Sequence, residues 1–438
     1  ISRCRIEQNT ARAGGGMYLL GGGAVNDALV VKNVAVDGGG MICSYGGSVV
    51  NTTIAHNRAD ECGGGVYASP GGEFVNSIVY FNTAPEEPER YTGGTGTTYS
   101  YSCSPGLAGT GCIASSPGFL DPEHGAYWLR GGSPCIDAGS DAALAGTLDL
   151  ALNTRRLYSA VDMGCYETRF VYAATNGQHR YPFKAWRFAA TNIQEALEAA
   201  GDGCTVWIGD GVYAPGAPTV VGNAVFLVGF NGAAITSVDG AGTHRCLQLA
   251  HSAAVVSGLT LRNGRAANSA GGGALFTQPG GTLDDCVVEN CAAEYGGGVF
   301  FSALGGRLER CTVRSNTALT PQQQGGGVYL RGGVVLRNCL ITGNTGLNVG
   351  GGVLAYYGGV IENCTVTENH GGKGGGICWY GTGCAVSNSI VYGNSGAAGV
   401  SNYAAQAGAS VRMAFSCTAP DPGEMGNITD DPQYFDAG

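Results

Sequence analysis

Charge is scarce in this chain: only 13% of its 438 residues are Asp, Glu, Lys or Arg, against 44% hydrophobic. Such a composition rules out a solvated, disordered segment and supplies enough apolar material for a long core. Basic residues are the rarer sign, 23 against 33 acidic, for a net charge of −10. That balance argues against nucleic acid or an anionic membrane surface as partner. Prolines number 15 beside 78 glycines, a ratio that collagen-like chains do not give. Long apolar runs are missing. The longest lies around Ala224–Phe230, too short for a transmembrane helix, so no membrane insertion is expected within this segment. There are 17 cysteines but no CxxC pair, which removes zinc-ribbon and thioredoxin-like readings. Ile1-Ser2-Arg3-Cys4 opens in mid-repeat; a window of a longer protein, extracellular or at the cell surface, with its targeting signals outside this segment, is the expectation.

What the chain does have is a repeat. Triple glycines begin at Gly14, Gly38 and Gly63, then at Gly271, Gly296, Gly325, Gly350 and Gly374. The steps are 24 and 25, then 25, 29, 25 and 24 residues. Short runs with apolar alternation follow, such as Val328-Tyr329-Leu330 and Cys339-Leu340-Ile341, and these read as strands. No helix-length segment separates them, so βαβ crossovers are excluded. The pattern predicts an all-β, right-handed parallel β-helix, a solenoid with coils of about 25 residues.

In-register coils stack like on like. Asn9, Asn57, Asn82, Asn263, Asn316, Asn344, Asn369 and Asn394 each fall five residues after a small inward position, which predicts an asparagine ladder. The inward position itself is Cys4, Thr52, Ser77, Gly258, Cys286, Cys311, Cys339, Cys364 and Ser389. Parallel neighbours point the same way, so Cys286, Cys311, Cys339 and Cys364 are expected to form a column of buried free thiols. Disulfides are expected outside the coils, as Cys103–Cys112 and Cys135–Cys165. Aromatics after the triple glycines (Tyr67, Tyr329, Tyr356, Tyr357, Trp379, Tyr380) fit either an internal stack or an exposed platform for sugars. Trp379 and Tyr380 are the candidates for surface binding.

A longer repeat overlies the coils. Asn76-Ser77-Ile78-Val79-Tyr80 recurs 312 residues later as Asn388-Ser389-Ile390-Val391-Tyr392, and Ser102-Cys103 recurs as Ser416-Cys417. Five segments follow: final coils of a first β-helix (1–82), an exit loop and tail (83–167), and an N-terminal cap with first coil (168–213). The coils of a second β-helix (214–400) and its exit loop (401–438) complete the set. One helix, Asn192 to Ala200, is predicted, with Thr191 as N-cap and Gly201 as its end, covering the open apolar end of a solenoid.

Ser133-Pro134-Cys135-Ile136-Asp137-Ala138-Gly139 and Asp162-Met163-Gly164-Cys165-Tyr166-Glu167 resemble the choice-of-anchor Q domain of bacterial surface β-helix proteins. Gly426 to Pro432, leading to Phe435-Asp436-Ala437-Gly438, resembles the approach to that domain. Val171-Tyr172-Ala173-Ala174 and Asp210-Gly211-Val212-Tyr213 resemble the N-terminal cap of the same proteins. The coil motifs are also similar to those of polymorphic outer-membrane proteins. In this chain another β-helix follows the tail motif at once, which points to tandem modules.

A glycosidase needs two carboxylates ~5–10 Å apart. Asp284-Asp285 and His370 stand three coils apart, roughly 14 Å at the inter-strand spacing. No catalytic residue, metal ligand or cofactor is assigned. The tail carboxylates Asp137, Asp149 and Asp162 fit capping roles better than a calcium site. The expected function is a structural fibre, stalk or adhesin whose partners are neighbouring modules, head to tail. Carbohydrate binding to cell-surface glycans is the alternative, and a polysaccharide lyase or hydrolase comes behind it.

Overall fold

The computed structural model describes all residues except Ala145, 321–324, Ala398, Ala407, Val411 and 435–438. The final Phe435 to Gly438 of the resemblance above therefore lies outside the described residues. The chain divides into two units, Ile1–Pro122 with Ala126–Arg169, and Glu123–Gly125 with Phe170–Gly438.

The second unit is a right-handed parallel β-helix. One coil illustrates it: after Gly296-Gly297-Gly298 come strands Val299–Phe301, Arg307–Glu309, Thr312–Arg314 and Thr317–Ala318. Each strand pairs with its counterpart one coil away, which builds sheets of eight, ten, nine and seven strands in that order. Alternation sets the faces. Val299, Phe301, Leu308 and Val313 are fully buried in one apolar cluster that runs from Val171 to Met413, while Phe300 and Arg314 lie on the outer side.

Two devices close each coil. The corner between the second and third sheets is a single residue with positive φ: Asp285 (49°), Arg310 (52°), Asn338 (54°), Asn363 (53°) and Asn388 (48°). Asn and Asp recur there because their short polar side chains tolerate the left-handed region. The triple glycine closes the opposite side, where coils approach too closely for a side chain. A Cβ on Gly297 would sit 2.4 Å from the Thr317 carbonyl oxygen and 2.5 Å from that of Gly326.

The helix spans Ile193–Ala199, and its N-cap is Asn192 rather than Thr191: the Asn192 side chain accepts the Glu195 N–H at 3.0 Å. Its buried residues Ile193, Ala196 and Leu197 join the same apolar cluster as the coils.

In the first unit, three parallel four-stranded sheets repeat the plan. Strands Arg90–Thr92 and Thr97–Ser100 lie within the stretch that the sequence suggests is an exit loop. They pair in register with Val66–Ala68 and Gly72–Val75. Stacking explains the difference: Tyr91 rests on Tyr67 and Tyr99 on Phe74, each pair with ring centroids 4.7 Å apart. The polar composition of the segment hides an outermost coil. In the same way Tyr403–Ala405, Met413–Ala414 and Cys417–Thr418 extend the coils of the second unit past residue 400.

Candidate functional site

The interior holds two polar columns. In the second unit Asn316 donates its backbone N–H (3.0 Å) and its Nδ2 (2.9 Å) to Oδ1 of Asn344. Asn344 repeats this toward Asn369, and Asn369 toward Asn394, at the same distances. Asn402 ends the run. In the first unit Asn9, Asn33, Asn57 and Asn82 form the equivalent chain, closed by the Glu89 carboxylate at 2.7 Å from Asn82 Nδ2. Two corrections follow. Asn263 stands one residue before the ladder position, at φ 53°, with its Nδ2 on Asp239. In that coil Gly258 takes the positive-φ corner, so Leu259 is the inward residue and Gly264 the ladder residue. Cys291 fills the next ladder place and donates its N–H to Asn316 Oδ1 at 2.9 Å. Asn33 was legible as a ladder member only from its place five residues after Ala28, where a plain alanine replaces the Cys, Ser or Thr of other coils.

Cys286, Cys311, Cys339 and Cys364 are buried and form no disulfide with one another; the Cys339 N–H donates to the Cys364 Sγ at 3.5 Å. Each thiol points at the carbonyl two residues back, for example Cys311 to Glu309 at 3.2 Å and Cys364 to Glu362 at 3.3 Å. The two expected disulfides are absent. Cys103 directs its thiol to the Ser115 carbonyl and Cys112 directs its thiol to that of Tyr99. Cys135 instead meets the Cys103 thiol, while burial pushes the Cys165 thiol up to about 12.

Trp379 is not a surface residue. It is fully buried, because alternation in Ile377–Tyr380 sends Ile377 and Trp379 into the lumen. Its register partners there are Ala355 on one side and Ala405 on the other, two small residues that make room for the indole. Tyr380 is half-buried on the outside and stacks on Tyr356, 5.0 Å between centroids at 11°. Beside this pair an open pocket is lined by Ser302, Leu304, Arg331, Tyr356 and Tyr357. Leu304 is 64% and Tyr357 56% exposed, and the Arg331 guanidinium lies 5.7 Å from the Tyr356 ring centre.

The tail of the first unit is tied down by buried charge. Arg155, 1% exposed, donates to Asp27 Oδ1 through Nε (3.0 Å) and Nη2 (2.8 Å), and approaches Glu167 Oε2 at 3.4 Å. Asp27 and Glu167 share this one guanidinium, and Asp162 stands beside Glu167. Burial and the neighbouring Asp162 outweigh Arg155 and hold the Glu167 carboxyl up at about 9; burial likewise lifts Asp162 to about 6. The tail carboxylates cap backbone: Asp162 accepts the N–H of Asp137 (2.8 Å) and Thr168 (2.7 Å), and Asp149 those of Asn153 (2.7 Å) and Glu167 (3.0 Å). Among the described residues no group of three or more His, Cys, Asp or Glu side chains is arranged to hold a metal ion.

With this geometry in hand, the chain can be set beside known proteins. The family model described as the right handed beta helix region matches residues 223–395. Among solved structures the chain is similar to pectate lyase Pel9A, at 13% identity over 57% of this chain and 69% of that one, with a TM-score of 0.42. It is also similar to a pectin methylesterase from Aspergillus niger, at 10% identity over 60% of this chain and 90% of that one, TM-score 0.39. A variant of the PL6 family alginate lyase AlyGC aligns at 10% identity over 97% of this chain and 69% of that one, TM-score 0.26. Similarity at this level carries no argument about chemistry. No curated protein matches.

Proposed function

We propose that the chain is part of a secreted or surface-exposed structural protein, a stalk or adhesin of β-helix modules joined head to tail, with no catalysis of its own. The observation that carries this reading is where the outer-face charges go. Asp239 pairs with Arg262 (2.9 Å), Glu289 with Arg314 (2.6 Å) and Arg337 with Glu362 (3.1 Å), each one coil away, and Asp284 pairs with Arg310. Charged groups that tie coil to coil serve the length of the solenoid. The 312-residue recurrence and the choice-of-anchor Q resemblance of the tail support tandem modules at a surface. Among the described residues no helix is long and apolar enough to cross a membrane. Electron microscopy of the full chain tests the reading: extended particles are expected, and a compact particle with a cleft would overturn it.

A second reading is favoured by the pocket at Leu304, Arg331, Tyr356 and Tyr357. Exposed rings beside a guanidinium suit a sugar ring bearing a carboxylate. A glycan panel tests it, with binding expected to fall at least ~tenfold in Tyr357→Ala and Arg331→Ala, one lost contact of about 1.4 kcal/mol each. Equal binding by wild type and both variants would remove this reading.

A further inference from the structure

The two units end in the same way, but among the described residues only the first of these ends is covered. In the first unit Ile113 bridges Cys103, donating to the Ser102 carbonyl at 2.9 Å and accepting from Ser104 at 3.0 Å. In the second, Ile428 bridges Cys417, donating to Ser416 at 3.0 Å and accepting from Thr418 at 3.0 Å. Even the thiols agree: Cys103 reaches the Ser115 carbonyl and Cys417 that of Asp430, both at 3.2 Å. The chain therefore builds one terminal device twice.

In the first unit, residues 133–144 and 146–168 lie across the corner column just before that device. Asn76 Oδ1 accepts the Ser140 N–H at 2.7 Å, and its Nδ2 donates to the Ser140 carbonyl at 3.0 Å. The Asn76 carbonyl accepts the Gly164 N–H at 2.7 Å, and Thr53 Oγ1 accepts that of Cys165 at 3.1 Å. Apolar contact completes the seal, with Ile78 and Cys103 packed among Cys135, Met163 and Cys165. Asn51, Thr53, Asn76 and Ile78 are each no more than 1% exposed as a result.

Their counterparts 312 residues on are Asn363, Thr365, Asn388 and Ile390. Both asparagines hold the same positive φ as Asn51 and Asn76, yet both are exposed, and Thr365 and Ile390 are only half-buried. An open groove runs here, lined by Asn388, Ile390, Phe415, Cys417 and Ile428, with Phe415 58% and Ile428 60% exposed.

We propose that this groove is a docking surface for a segment with the chemistry of residues 133–168. Its determinants are an extended strand that pairs its backbone amide with Asn388, a glycine at the place of Gly164, and small apolar or thiol side chains over Ile390. A glycine is required because a Cβ on Gly164 would lie 2.7 Å from Thr53 Oγ1 and 2.9 Å from Ile78 Cδ1. One difference sets specificity. The corner occupied by Asp27, which holds Arg155, is Asn338 in the second unit, so the occupant there needs no buried arginine. The proposal does not depend on the stalk reading, since it concerns closure of a single unit.

The test adds a copy of residues 124–168 after Gly438 of the full chain, and in parallel supplies residues 133–168 as a peptide to the unextended chain. Amide hydrogen exchange across 363–392 should slow at least ~tenfold in one format or both, the signature of a newly protected surface. Asn388→Gly, which removes the side chain but keeps the positive-φ corner, should erase that protection while leaving the melting temperature of the unextended chain close to that of the wild type. Asn76→Ala serves as the control by loosening residues 133–168 in the first unit. The proposal is overturned if neither format protects 363–392. It is equally overturned if the unextended chain protects this stretch as its concentration rises and sediments as a dimer, since a second copy then fills the groove.

Discussion

Asn344 shows how much one residue carries here. Its amide receives two hydrogen bonds from Asn316 and gives others to Asn369, to Thr342 and to the Val313 carbonyl. Asn344→Leu would strand all of these in a dry interior, where an unpaired group costs about 1–3 kcal/mol. A urea titration should therefore show a lowered midpoint corresponding to a loss of about 1–3 kcal/mol in unfolding free energy, and an unchanged midpoint would count against the ladder. Trp379 is a second such residue. Ala355 and Ala405 above and below it are too small to fill the space it would vacate. Trp379→Ala is expected to cost about 3–5 kcal/mol, as for other buried aromatic truncations, and to leave glycan binding untouched in a folded sample. These two residues mark the reach of sequence reasoning. The ladder was legible because stacking forces one spacing on every coil. Asn263 misled because a glycine at the corner shifted its coil by one residue. Whether Trp379 faced in or out was not legible, since the answer lies in the alanines one coil away.

At the scale of elements, the tail of the first unit depends on long-range pairing with no local signal. Arg155 and Asp27 are 128 residues apart in sequence, and nothing near either announces the other. The carboxylates around Arg155 give this contact a pH dependence whose sign can be worked out. Glu167 and Asp162 are held at about 9 and about 6 in the folded chain, above the ordinary values of 4.5 and 3.8. Folding thus favours their protonated forms. Their contribution is fully present below about pH 4, is reduced as pH rises through 6, and is lost as pH passes 9. Calorimetry should show the first unit melting at progressively lower temperature from pH 5 to pH 9.5. Glu167→Gln keeps an acceptor for Arg155 without the charge, and it should flatten that slope. A wild-type melting temperature that is level or rises across this range would contradict the placement of these carboxyls.

For the whole molecule, the test is whether a coil is an interchangeable part. In a solenoid, stability is close to a sum of coil terms and nearest-neighbour terms, so one coil can be removed without destroying the rest. The register says which one. Deleting Val287–Cys311 removes 25 residues and joins Cys286 to Thr312, both at the same corner of successive coils. Phe276 then faces Leu330 in the lumen, and Asp284 faces Arg337 on the outer sheet, as the pairings of Phe276 with Phe301 and of Glu309 with Arg337 imply. The Gly264 N–H, which now points at the Cys291 thiol, gains the Asn316 amide oxygen instead. One contact worsens: Arg262 meets Arg314 once Glu289 is gone, a like-charge pair at a partly exposed site that costs little. The shortened chain should fold cooperatively, keep its β circular dichroism and lose about 4.8 Å of length, one strand spacing. A protein whose role is reach accepts such a loss, whereas one built around a single reactive site does not. If the deletion abolishes cooperative unfolding, the coils are not equivalent units, and the structural reading is weakened accordingly.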